Sequence, residues 1–477
     1  MISWLFLRLA AAAAILATVV VLVKRLFSPL AAVPGPRLAL ISSLPLKYHE
    51  FRGNRTRYVH SLHQKYGKAV RLAPHEVAFA SVEAMREIYM SRGSGYDKTA
   101  FYHLFKQYNT PTMFSTLDRE RHSQRRRIVA DRYANTNVMR EHSVHGLEER
   151  ARSFTAKCRE APDQVVDIYI YLHCYAFDGV THHLFHPYGS NSINEASDEA
   201  IMREVSFDNS LVRRLLEYYN PSLGQLADML GLLPPARKIP RARAFVLDAA
   251  QQSDTADFTL TSRLRDPKFG LRDIDVAAEC LDHMAAGIET TGDALCWTMW
   301  LLSLEENKEI QRRLREELLV DATPSLPFLE AVIKEGLRLF PSIPMSLPRV
   351  VPAGGREVDG YWLPGGTIVS CQPYSLQRCD DKVFPQPDMF MPERWLADDG
   401  GDAERNRLFF AFSSGGRGCL GRHLAMAEMK VLLRDVYSQF TTTLPEEMTS
   451  DMSMSDQIIS SRPQGQCCLL KFTPVEN

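Results

Sequence analysis

Phe412-Ser413-Ser414-Gly415-Gly416-Arg417-Gly418-Cys419-Leu420-Gly421 is the stretch around which the chain is organised. Glycines crowd a single cysteine, and an apolar, helix-forming run over 424–436 follows at once. Glycines let the backbone come close to a large flat ligand and take φ values that other residues avoid. A cysteine just ahead of a helix start faces unpaired N–H groups and the positive end of the helix dipole, which favours its thiolate. A lone thiolate in a tight loop is a soft metal ligand, suited to an axial position on haem iron. The alternative is a glycine turn around a buried structural cysteine. Five defined positions in ten (Phe412, Gly415, Arg417, Cys419 and Gly421) argue against it.

The 477 residues suffice for one large domain or two to three ordinary ones. With 45% hydrophobic and 24% charged residues the composition is globular, and a formal net charge of -1 argues against bulk nucleic-acid binding. The nine cysteines are odd in number and lack framework spacing, which fits a reducing compartment. Cys467-Cys468 lie in an alternating apolar stretch and read as strand packing.

Residues 2–23 are almost entirely apolar, with Arg8 their only charge. The run exceeds the roughly 20 residues that cross a hydrocarbon core. Lys24 and Arg25 follow, which puts the rest of the chain on the cytoplasmic side. No small-x-small cleavage site directly follows the run, so an anchor is expected rather than a cleaved signal peptide. Val33-Pro34-Gly35-Pro36 then makes a stiff bend. The expected organisation is a membrane anchor over 1–26, a proline-rich hinge over 27–37 and one domain over 38–477.

Residues 70–72 and 76–80 read as a hairpin, and Ser81 as the cap of a helix reaching Met90. Residues 91–114 are aromatic and turn-rich. Residues 118–133 read as a charged helix with His122 and Arg126 on one face. Residues 140–270 are helical with little chemistry. His182, His183 and His186 lack metal-ligand spacing and are expected on a helix surface and in a turn. A loop or frayed helix over 254–272 leads to a helix over about 273–303.

That helix carries Ala286-Gly287-Ile288-Glu289-Thr290-Thr291. Ala286 and Gly287 open a gap in its surface where a diatomic ligand can sit, and a mid-helix glycine costs about 1 kcal/mol against alanine, so it needs a reason. Thr290 can bond back to the Ala286 carbonyl and loosen the local ladder. An acid beside a threonine, as in Glu289-Thr290, can pass protons through water. Downstream, Glu335 and Arg338 are three apart on a helix and can pair. Residues 365–370 read as a strand after a turn, and residues 342–347, small or aliphatic, suit an apolar ligand. No Gly-x-Gly-x-x-Gly segment follows a strand, so no nucleotide-binding half is evident.

Taken in order, these features resemble the cytochrome P450 family over nearly the whole chain, and most of all microsomal members from filamentous fungi that act in natural-product pathways. The resemblance implies a mainly α fold with a small β portion, behind one N-terminal transmembrane helix in the endoplasmic reticulum. It implies haem b, with Cys419 as axial ligand in a loop marked by Phe412, Gly415 and Gly421. Arg126, Arg349 and Arg417 are expected at the haem propionates, with His122 where the family usually has tryptophan. Ala286, Gly287, Glu289 and Thr290 match the oxygen-activation motif, with Glu289 the less common acid. Arg394, in Pro392-Glu393-Arg394-Trp395, is expected to complete a structural cluster with Glu335 and Arg338. One departure is local: only residues 318–325 separate Glu317 from Leu326, where the family usually has a longer insert.

The implied activity is a haem-thiolate monooxygenase acting on an apolar small molecule with molecular oxygen. Electrons would come from NADPH through a separate flavoprotein reductase. Arg422, Lys430 and Arg434, with Arg125 and Arg127, are the candidate basic docking face. Two rivals share part of the pattern. An isomerase or dehydratase would need no reductase, and intact Glu289-Thr290 argues against it. A haem-binding sensor would need Cys419 but not the oxygen motif.

Overall fold

Helices dominate, and the longest of them, Asp273–Ser303, runs through the centre. The computed structural model describes residues 2–90, 95–320 and 326–475. Residues 321–325 of the short connection lie outside these. On its two sides the helix Lys308–Leu319 is tied to the next one, because the Glu317 carboxylate accepts from the Phe328 and Leu329 N–H groups, each at 2.8 Å.

The central helix is held on several sides. The helix Ile168–Phe185 lies along it and is buried nearly throughout. Its sequence is apolar on every face, which is the pattern of an interior helix. This corrects the expectation for His182 and His183, which are buried rather than on a surface. Burial pushes both imidazoles down to about 3, so they are neutral packing groups. Among the described residues no His/Cys/Asp/Glu group is arranged to hold a metal ion. At the far end of the central helix Trp297 stacks on Phe340 and its indole donates to the Met452 carbonyl at 3.0 Å.

The β portion is small. A five-stranded sheet runs in the order Ala69–Ala73, Glu76–Phe79, Ile368–Cys371, Arg349–Val350, Asp97–Lys98. The first pair is the expected hairpin, while Glu76–Phe79 and Ile368–Cys371 are parallel. The last pair sets Lys98 directly opposite Arg349. A second sheet joins Val165–Asp167, Leu469–Pro474 and Phe440–Thr443, and two separate hairpins complete the set. Cys467 and Cys468 lead into the strand Leu469–Pro474, and all nine cysteines are free.

Ser81 caps the next helix by accepting from the Ala84 N–H, but the expected continuation widens to a π turn over Arg86–Met90. The stretch 254–272 holds one short helix, Leu260–Leu264, and a 3-10 turn, Pro267–Phe269.

At the N-terminus the apolar run forms the helix Ile2–Leu26. Many of its side chains lie outside the described residues, and among the described residues no helix is long and apolar enough to cross a membrane. The proline-rich segment after it is docked. The buried guanidinium of Arg71 donates to the carbonyls of Leu30 (3.1 Å), Val33 (2.5 Å) and Pro36 (3.3 Å). The Arg71 N–H also donates to the Pro34 carbonyl at 2.7 Å.

Candidate active site

The glycine-rich loop closes one wall of a cavity of about 580 Å³, within the size range of small-molecule sites. Cys419 presents its thiol to this cavity. The Cys419 N–H donates to the Phe412 carbonyl at 2.8 Å, which closes the loop on itself. Gly415 takes φ +68°, and a side chain there would strike the Tyr89 carbonyl oxygen, so only glycine fits. The helix Arg422–Gln439 begins directly after the loop, with Gly421 as its N-cap. Burial pushes the Cys419 thiol up; the Gly421 and Arg422 N–H groups and the charges of Arg126 and Arg422 act against that. The helix start therefore favours the thiolate as its position predicts, but desolvation outweighs it in the protein alone. A coordinated metal removes that balance, because a coordinating thiol is deprotonated outright.

Across the cavity lies the central helix, with Ala286, Gly287, Glu289 and Thr290 lining the same space as Cys419. The Thr290 hydroxyl donates to the Ala286 carbonyl at 2.7 Å, as its spacing predicts. The Thr290 carbonyl in turn accepts from the Ser342 hydroxyl at 2.7 Å, a second perturbation of the same turn that the local pattern does not announce. Gly287 has an additional reason to be glycine: a Cβ there would come within 2.7 Å of Val180 on the neighbouring buried helix. Ala286 is the member of the pair that is exposed to the cavity. Glu289 accepts from the Ser460 hydroxyl at 3.3 Å, and burial pushes its carboxyl up.

One end of the cavity is cationic. His122, Arg126, Arg349 and Arg417, each expected at a cofactor carboxylate, all line it, and Lys98 joins them. Arg126 donates to the Gly418 carbonyl at 2.7 Å, so it grips the cysteine loop itself. Arg349 donates to the Tyr102 hydroxyl at 2.8 Å. Arg417 donates to the Leu117 carbonyl at 2.9 Å and reaches Asp97 at 3.3 Å, but its Nε and Nη1 are buried without a partner. Burial, then the Arg349 charge, pushes Arg417 down to about 10. Burial and the neighbouring cations push His122 down to about 2, so its imidazole is neutral. Lys98 is held well below its usual range by burial, then by Arg349 and Arg417. Its ammonium donates to the Phe114 carbonyl at 2.5 Å and lies 4.7 Å from the ring centres of Tyr102 and Phe114.

The structural cluster forms as expected. Glu335 and Arg338 are fully buried and bidentate, with both N–O distances 2.9 Å, and Arg394 donates to the same carboxylate at 3.0 Å. Two further donors were not foreseen: the Trp395 indole at 2.9 Å and the Met391 N–H at 3.0 Å.

The sequence model of the family Cytochrome P450 matches residues 33–469. The chain belongs to the cytochrome P450 family. Similar curated proteins include cytochrome P450 monooxygenase lcsI of Purpureocillium lilacinum, 28% identical over 463 residues, covering 88% of this chain and 86% of the relative. Cytochrome P450 monooxygenase cpaH of Aspergillus oryzae is 27% identical, covering 94% of this chain and 89% of its own length. Cytochrome P450 monooxygenase stcB of Emericella nidulans is 28% identical with the same coverages. As a P450, the chain is a monooxygenase, and the family implies haem with a thiolate ligand.

The residues present fit that cofactor. Like charges directly opposite on paired strands repel, yet Lys98 faces Arg349, and Asp97 is the one carboxylate ion-paired within this group among the described residues. The buried, unpartnered donors of Arg417 lack acceptors that the protein does not supply. The two propionates of a haem would meet both needs. When bound, the haem would supply the oxygen chemistry. Lys98, Arg126, Arg349 and Arg417 would hold the propionates and Cys419 would carry the thiolate, while the Thr290 hydroxyl and the Glu289 carboxyl line the same cavity. Lys98 escaped the sequence reading. Its one signal was a lone lysine at the start of an aromatic stretch.

Proposed function

We propose that this P450 oxidises a largely apolar small molecule of a natural-product pathway at an intracellular membrane, with electrons passed from NADPH by a separate flavoprotein reductase. The observation that carries the reading is the shared cavity: Cys419 on one wall, Ala286, Glu289 and Thr290 on the other. A haem sensor has no need of the second wall, and an isomerase or dehydratase has no need of protons delivered from Glu289-Thr290. Phe114, Ile343, Leu347, Ile458 and Ile459 line the cavity and supply an apolar seat for the substrate body.

Anchoring in the endoplasmic reticulum membrane, catalytic domain cytoplasmic, is supported by the apolar 2–23 run and Lys24-Arg25. A second support is the apolar surface of the helix Pro221–Met229 and the turn after it, where Leu223, Leu226, Met229, Leu230 and Leu232 are all exposed. Leu44 and Tyr48 are exposed on the helix Leu44–Phe51, which meets the same region through Phe51, Glu50 and Tyr219. For the reductase, Arg127, Arg422 and Arg434 are exposed, whereas Lys430 pairs with Glu330 at 2.8 Å and Arg125 with Glu279 at 3.3 Å.

The test is turnover by the haem-loaded chain with NADPH and reductase, each omitted in turn, on apolar intermediates of the natural-product pathway. Product formed without reductase would point to the isomerase or dehydratase. Reduced, carbon-monoxide-bound protein is expected to show the red-shifted Soret band of a thiolate haem, and Cys419→Ala to lose it; a retained band refutes the assignment.

A further inference from the structure

The wall of the cavity beyond Glu289 is charged. Arg214, Arg237 and Arg462 line it together with the carboxyl groups of Asp208, Glu289 and Asp293. The three arginines come from three separate places: the helix Leu211–Tyr219, the connection that follows the exposed apolar turn, and the strand Ser461–Pro463. Each is fixed by backbone. Arg214 donates to the Leu104 carbonyl at 3.2 Å, Arg462 to the Ser206 carbonyl at 3.2 Å and the Asp208 carbonyl at 3.1 Å, and Arg237 to the Val205 carbonyl.

Asp208 is the carboxylate they share, 3.2 Å from Arg214 and 3.5 Å from Arg237. It also accepts from the Ser210 N–H at 2.8 Å, so its acceptor capacity is divided. Glu289 is turned to Ser460, and burial disfavours its ionised form. Among the described residues Asp208 is the one carboxylate ion-paired to these arginines. Arg237 Nε is, moreover, buried without a hydrogen-bond partner. A buried N–H without an acceptor is costly, and a guanidinium offers its donors in a fork that matches a carboxylate.

We propose that the substrate is an amphipathic acid, whose apolar body lies over Ile343, Leu347, Ile458 and Ile459 and whose carboxylate is received by Arg237 with Arg214 and Arg462. This rests on the reading of the cavity as the oxidation site and deepens it: the arginines fix which end of the substrate points away from Cys419, and so which carbon lies near it. A neutral amide still offers the guanidinium group one acceptor oxygen, but neither the charge nor the second acceptor of a carboxylate.

The experiment is equilibrium binding by calorimetry to the haem-loaded full-length chain, with decanoate and its neutral isostere decanamide as probes. Wild type is expected to bind decanoate about tenfold or more tighter than decanamide, the factor that a charge-assisted hydrogen bond confers. Arg237→Gln is expected to remove most of that preference. Equal affinity of wild type for the two probes, no decanoate binding at millimolar concentration, or an unchanged preference in Arg237→Gln overturns the proposal. The wild-type comparison stands even if the variant fails to fold. Because binding needs no turnover, a carboxylate preference without NADPH-dependent oxidation faults the monooxygenase reading alone. Oxidation without the preference faults this proposal alone.

Discussion

Lys98→Met keeps the length of a side chain and removes its ammonium group, at a position where that group faces the Arg349 guanidinium across a strand pair. Lys98 faces Arg349 across a strand pair, and its pKa is lowered by burial first and by Arg349 and Arg417 next. In cofactor-stripped protein burial and the neighbouring guanidinium groups disfavour its charged form. A like-charge cross-strand pair costs about 0.2–1 kcal/mol, and the Phe114 hydrogen bond returns about as much or more, so the stripped variant is expected to be no more stable than wild type. With haem bound, Lys98 would be one of four basic side chains at the propionates. A hydrogen bond to a charged group contributes about 1.5–3 kcal/mol, so the variant is expected to lose haem roughly 10–150-fold faster. Haem loss is followed by absorbance during transfer to an excess of a haem-free globin, and stability by the urea midpoint of stripped protein. Haem loss at the wild-type rate would refute the reasoning and leave Lys98 as a structural group held by the Phe114 carbonyl and two rings.

Three further outcomes are expected. Glu428 is buried on the helix after the cysteine loop, accepts from the Thr291 hydroxyl at 3.3 Å, and is pushed up to about 8 by burial. A carboxyl whose folded pKa is raised holds its proton longer than the unfolded chain does, so its contribution is present at low pH and is lost as pH rises from about 4.5 to about 8. Glu428→Gln should therefore match wild type in urea at pH 4 and exceed it by a few kcal/mol at pH 9; parallel pH profiles would remove Glu428 from that role. Thr290→Ala takes away the hydroxyl on Ala286 and should let NADPH consumption continue while product per NADPH falls and peroxide rises; unchanged coupling would make Thr290 only a helix residue. Arg434→Glu should slow first-electron transfer at low salt more than Lys430→Glu does, because Glu330 already offsets Lys430, and both defects should shrink with added salt; equal defects would mean that the Glu330 pair does not persist in solution.

What was legible in the sequence is what depends on neighbours along the chain. The central helix, the Thr290–Ala286 bond, the Glu335–Arg338 pair and the cysteine loop are all set by residues a few positions apart, where helix and turn chemistry operate. Arg394 and Arg349 came from family resemblance, not from spacing. Features brought together by long-range pairing were missed. Lys98 acquires its meaning only when it lies opposite Arg349, and the Trp395 indole when it meets Glu335. His182 and His183 were misplaced for a different reason: counting them as polar hid the fact that every other face of their helix is apolar. The arginines facing Asp208 come from three separate segments, so no window of sequence contains them.

The clasp of Arg71 on the proline-rich segment has a mechanical consequence. Four carbonyls on one guanidinium, those of Leu30, Ala31, Val33 and Pro36, and a fifth on its own N–H, tie the segment before Pro36 to the strand Ala69–Ala73. Force applied along the N-terminal helix is delivered into the strand Ala69–Ala73, one edge of the five-stranded sheet. The opposite edge of that sheet is the pair that carries Lys98 and Arg349. The clasped segment and the Lys98–Arg349 pair thus occupy opposite edges of one sheet.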